Sequence, residues 1–132
     1  MNKTDLEAIL RNEPWLNAFG FGVFNSRRLT PQQRREQLEE SRTRLLNDLA
    51  TCQKVCDWLK ANAVSRKTLN TKMGSYGWKH VVETEIGHYV TNGAFIAAAI
   101  HCGFNYKRCS SDSPNAYFNI REYKPAKAYS LV

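Results

Sequence analysis

The stretch SYGWKHVVETEIGHYVTNG, residues 75 to 93, holds the densest set of side chains that could do chemistry. His80 and Glu83 lie three apart, one helical turn, so an imidazole and a carboxylate could exchange a proton. His88 follows just past Gly87. His80, Glu83 and His88 are therefore the candidate catalytic residues. They carry no recognisable catalytic motif: HVVETEIGH is not the His-Glu-x-x-His zinc arrangement, which needs two histidines one turn apart. A solvated pair at a helix end is the plainer account of His80 and Glu83, and an enzyme is the less favoured reading.

The four cysteines give no better chemistry. Cys52 and Cys56 fall in mid-helix on an apolar seam, and Cys102 and Cys109 are seven apart with His101 beside the first. Structural zinc sites usually pair ligands two to four residues apart on tight turns. Cysteine is also often just a small buried hydrophobe. The sequence points to no metal and no cofactor.

Anion binding is better supported. The chain carries 19 Lys and Arg against 12 Asp and Glu, a net charge of +7. Residues 64 to 82 hold Arg66, Lys67, Lys72 and Lys79 with no acidic group among them. GSYG and TNG offer backbone N–H groups at helix starts, where anions settle, although ordinary capping explains them too. WLKANAVSRKTLN has the rhythm of a helix-turn-helix, and VSRKTL resembles the opening of a recognition helix. Arg66, Lys67, Lys72, Ser75 and Lys79 are thus the candidate nucleic-acid-binding residues. The competing account is a soluble surface with surplus lysine.

These residues need elements to place them. TDLEAILR reads as a short helix capped by Thr4, with Glu7 completing the box and Pro14 ending it. Phe19, Phe21 and Val23 alternate like a strand weakened by glycines. Residues 30 to 62 carry the strongest pattern. Thr30 caps, Pro31 takes the first position and Gln33 completes the box. Leu38, Leu45, Leu49, Cys52, Cys56 and Leu59 then form a seam interrupted near Ser41. An unbroken helix there would be roughly 46 Å long, so it bends, breaks or projects toward a partner. Its Leu38–Leu59 face could serve a protein partner or a homodimer.

Ser65 is expected to cap a helix over 66–73 that Gly74 stops. In WKHVVETEI, Trp78, Val81, Val82 and Ile86 should face inward, with Lys79, His80, Glu83 and Thr84 facing out. Thr91 should cap a third short helix, NGAFIAAAIHC, apolar nearly all round and so deeply buried. FNYKRC and AYFNIREY read as a β-hairpin around SSDSPN, with the Phe19–Phe24 segment as a candidate third strand. The expected fold is α+β and mostly α: one long helix in the N-terminal half, several short helices and a C-terminal hairpin. Residues 1–123 form one domain and 124–132 a tail.

The pattern SYG-K-H followed by YVTNGAFIAAAI resembles small uncharacterised proteins carried on bacterial phages and plasmids, over roughly residues 65 to 105. The resemblance implies no activity and carries over no functional residues; it only favours a mobile-element accessory protein that binds nucleic acid or interferes with a host system. The N-terminus lacks an apolar run of signal-peptide length, and no stretch approaches ~18 apolar residues, so no membrane association is expected. Reduced cysteines in a cytoplasm follow. The chain thus reads as a small basic, cytoplasmic nucleic-acid-binding or regulatory protein. Alternatives are a protein-interaction module on the long helix and a small enzyme at the His/Glu set.

Overall fold

The starts of three helices are written locally, by side-chain caps. In a computed structural model that describes residues 1–123, α1 runs Lys3–Asn12 from a reciprocal cap between Asn2 and Asp5. The start therefore lies just before the expected Thr4 box, because Asn2 and Asp5 offer the same reciprocal geometry earlier in the chain. α2 runs Pro31–Leu46 with the expected Thr30–Gln33 box. α5, Asn92–His101, is capped by Thr91, whose Oγ1 accepts from Ala94 N–H at 3.0 Å. α4, Ser75–Ile86, ends at Gly87, which takes the left-handed conformation at φ +66°.

The long helix breaks. α2 stops at Leu46 and α3 spans Leu49–Asn62, with Asp48 out of helical geometry at φ −101°, ψ 25°. The seam explains the break, since nothing apolar bridges Leu38 to Leu45 and α2 buries only Leu45. Turning at Asn47–Asp48 lets α2 lie against α1 and the first strand while α3 packs on α5. Leu45, Cys52, Cys56 and Leu59 are then consumed by the protein's own core. The seam is therefore not one continuous face for a partner: these four residues are covered, while Leu38 on α2 stays half-buried outside the core.

Arg42 fastens α2 to the end of α1. Its guanidinium donates to the carbonyls of Glu13 (3.0 Å), Pro14 (2.8 Å), Leu16 (2.8 Å) and Leu10. Two of these acceptors, Leu10 and Glu13, lie in the last turn of α1 or at its cap, where a cation is favoured.

The strands are short. β1 (Leu16–Asn17) pairs with β2 (Gly20–Phe21), and β3 (Tyr106–Arg108) pairs with β4 (Ala116–Phe118), both antiparallel. The C-terminal hairpin is as expected. The Phe19–Phe24 segment does not join it as a third strand; β2 pairs with β1 and reaches the hairpin loop through Phe21 N–H to Pro114 O at 2.9 Å.

A second correction concerns 66–73, which is not helical. Ser65 bridges Ile120, Arg66 N–H donates to Asn119 O (2.9 Å), Asn70 N–H to Phe118 O (2.8 Å), and Arg121 N–H returns to Val64 O (2.7 Å). Only Leu69 and Met73 could have given such a helix an apolar face. The backbone of this segment bonds instead to the end of β4 and the chain following it, so these residues form no recognition helix.

The core centres on α5, whose residues Ala94 to Ala99 are fully buried among Leu6, Val55, Trp78, Val82 and Phe118. Gly93 permits the approach, because a Cβ there would lie 1.9 Å from Asn17 O. The expected tail, 124–132, lies outside the described residues. Among the described residues no helix is long and apolar enough to cross a membrane.

Candidate functional site

The candidate residues do not gather in one place. Ser75 is fully buried, and its Oγ accepts from Ala116 N–H at 3.1 Å, which ties α4 to β4. It is therefore not on offer to a phosphate. Arg66, Lys67 and Lys72 sit on the extended approach to α4; Arg66 reaches Thr68, Lys72 pairs with Glu122 at 3.3 Å, and Lys67 is exposed.

Lys79 is the surprise. Instead of facing out it is 5% exposed. Its Nζ donates to Glu83 Oε1 at 2.7 Å and lies 4.7 Å from the Tyr89 ring centre and 5.4 Å from that of Tyr76. A lysine takes such a position because its stem packs like a hydrophobe while a carboxylate and two aromatic faces replace the water around its charge. Glu83 is the hub. Its other oxygen meets His80 Nδ1 at 3.0 Å, and Oε1 also accepts Val90 N–H at 3.3 Å. Burial raises the Glu83 pKa, but the bonds from Lys79, His80 and Val90 outweigh it and hold the carboxyl below its usual range. A carboxylate stabilised in this way is a poor proton acceptor at neutral pH.

His80 and Glu83 are thus brought together, with His80 also edge-on to Tyr76 at 4.6 Å. His88 is not part of the group, because its Nε2 bonds Thr51 Oγ1 on α3 at 3.0 Å. The proposed catalytic trio is divided between two neighbourhoods. Among the described residues no three His, Cys, Asp or Glu side chains converge as metal ligands would.

Lys79 opens onto a cleft of about 450 Å³. Its walls include Phe19, Tyr76 and Tyr89, and its polar lining includes Ser41, Arg44 and Asn92. The three rings are 38%, 53% and 63% exposed, so much of each faces outward. A neighbouring groove of about 840 Å³ shares Ser41, Arg44, Tyr89 and Thr91 and continues the surface past His88.

The cleft edge is held by amides. Asn17 Nδ2 donates to Trp15 O (3.0 Å) and Gly22 O (2.7 Å), while its Oδ1 accepts Phe19 N–H and Ser41 Oγ, each at 2.8 Å. This fixes the turn that presents Phe19. Asn92 Nδ2 bonds Phe19 O (3.1 Å) and Asn115 Oδ1 (3.0 Å), joining that turn to the hairpin loop. Phe19, Arg44, Asn92 and Asn115 were not candidates from sequence. The available signal was Phe19 in a glycine-rich segment, where the strand alternation is too weak to bury its ring.

Comparison with protein-family models, curated proteins and solved structures gives no match. Function must therefore be read from the cleft itself.

Proposed function

We propose that the protein is a small cytoplasmic nucleic-acid-binding accessory protein that holds single-stranded nucleic acid along the cleft beside α4. The observation that carries this reading is that Phe19, Tyr76 and Tyr89, all partly open, line one cleft with Arg44 and Lys79. Bases stack on such rings at about 1–3 kcal/mol each, while cations meet the backbone. Lys79 is already neutralised by Glu83, so it supplies an N–H donor, and Arg44 supplies net charge. Arg66, Lys67 and Lys72, next to α4 in the chain, add phosphate contacts. Duplex recognition is disfavoured because the segment expected to read a groove is not a helix. The resemblance to small phage and plasmid proteins supports a role on a mobile element.

Fluorescence anisotropy with labelled single-stranded and duplex oligonucleotides, each across a salt series, tests this. The single strand should bind more tightly, with a negative salt slope. Tyr76→Ala or Tyr89→Ala should each weaken single-strand binding by about tenfold. Replacing Arg66, Lys67 and Lys72 together by Ala should mainly flatten the salt slope. Absence of binding at low salt would discard the reading.

A further inference from the structure

Phe24 is 67% exposed, the most open large apolar side chain among the described residues. The chain turns beside it. Asn25 takes the left-handed conformation at φ +59°, which asparagine tolerates, and a single 3-10 turn, Ser26–Arg28, follows. Phe24 stands edge-on to Phe19, with ring centres 5.6 Å apart. Both rings line a groove of about 380 Å³ between residues 19–27 and residues 108–114. Phe19 and Pro114 line this groove and the α4 cleft alike, so the two meet across one ridge. Backbone bonds fix the ridge: Phe21 N–H donates to Pro114 O at 2.9 Å, and Asn92 Nδ2 reaches the carbonyls of Phe19 (3.1 Å) and Pro114 (3.3 Å).

The groove is cationic, with two arginines against one carboxylate in its lining. Arg108, at the end of β3, lies over the Phe21 ring, its guanidinium carbon 5.1 Å from the ring centre. It donates to the carbonyls of Ser111 and Ser113, both at 3.2 Å, and its Nε is buried without a hydrogen-bond partner. No carboxylate among the described residues pairs with Arg108, so its charge is not offset. Arg27 reaches from the 3-10 turn to Asp112 of the hairpin loop at 3.9 Å, with side chains 89% and 83% exposed. A pair so long and so open is weak, and a phosphate can take the place of the carboxylate.

We propose, on the single-strand reading above, that this groove is a second site for the same strand, which runs from the α4 cleft over the Phe19–Pro114 ridge onto Phe24, Arg27 and Arg108. Continuity and charge both carry it. Each hollow sets an open ring beside an arginine, and bases and phosphates alternate along a single strand in the same way. Phe24 gives a base a stacking face, and the two arginines meet the phosphates that flank it. Neither contact reads the edge of a base, so the second site adds a dependence on strand length rather than on sequence.

The test measures anisotropy of labelled single strands of about twelve and about four nucleotides with the whole protein. The short strand fits the α4 cleft alone, and the long one reaches both sites. Phe24→Ala, at an open position that leaves the thermal melt unchanged, should weaken the long strand by about tenfold and spare the short one. Asp112→Asn should tighten the long strand by about twofold at low salt, because it frees Arg27 for a phosphate. Long-strand binding that Tyr76→Ala weakens but Phe24→Ala does not would overturn the second site and leave the single-strand reading standing. An equal loss on both lengths in Phe24→Ala would also overturn it, since Phe24 would then act by propping Phe19. Absence of wild-type binding to either strand would remove both.

Discussion

Arg42 joins four backbone carbonyls with one guanidinium, a service lysine cannot copy. Burial lowers its pKa without removing its charge. Arg42→Lys should cost about 2 kcal/mol, read as a lower urea midpoint at unchanged slope, because a point charge leaves some of those carbonyls without a partner. Glu83 gives the second residue-scale expectation. Its carboxyl pKa is depressed in the fold, so its stabilisation is present above the ordinary glutamate range and is lost as pH falls through and below it. Glu83→Gln should cost about 3 kcal/mol at neutral pH, because it strands the buried Lys79 charge. The gap between wild type and variant should shrink in acid; a constant gap in unfolding series from neutral to acid pH would contradict this.

At the scale of elements, glycines separate two kinds of constraint. Gly87 adopts φ +66° with open space around it, so Gly87→Ala strains only the backbone, by about 1 kcal/mol. At Gly93 a Cβ would overlap Asn17 O, so Gly93→Ala must part α5 from β1 at about 3 kcal/mol or more. Thermal melts of the two variants should rank in that order. The same contrast shows what could be read in advance. Thr30, Pro31 and Gln33 announce α2 because their bonds are made within one turn, and Gly87 and Thr91 bracket their helices for the same reason. Residues 66–73 misled because their partners, Phe118 to Ile120, lie far along the chain and outweighed a local propensity.

At the scale of the whole molecule, the cleft was illegible for a related reason. Its lining comes from the β1–β2 turn, α2, α4, the α4–α5 loop, the start of α5 and the hairpin loop, and only their assembly sets Phe19 beside Tyr76 and Tyr89. Helical period alone turned Lys79 to solvent, since it does not register that Glu83 and two rings can stand in for water. His80 with Glu83 was legible, being one turn apart, whereas the departure of His88 to Thr51 was not. The positive charge follows the same division: its amount is a property of composition, but whether Arg44 stands beside open aromatic rings belongs to the tertiary structure.

The stitching of 64–70 to 118–121 also sets an order of events during synthesis. While β4 and the residues after it are still inside the ribosome, the amides of Arg66 and Asn70 have only water as partner, and Ser75 has no Ala116 to receive. Helices α1 to α3 can form by local bonding in that interval, but the approach to α4 stays open until residue 121 emerges. A nascent chain arrested before Ala116 should therefore be cut by protease between Val64 and Gly74, and one released beyond Arg121 should resist.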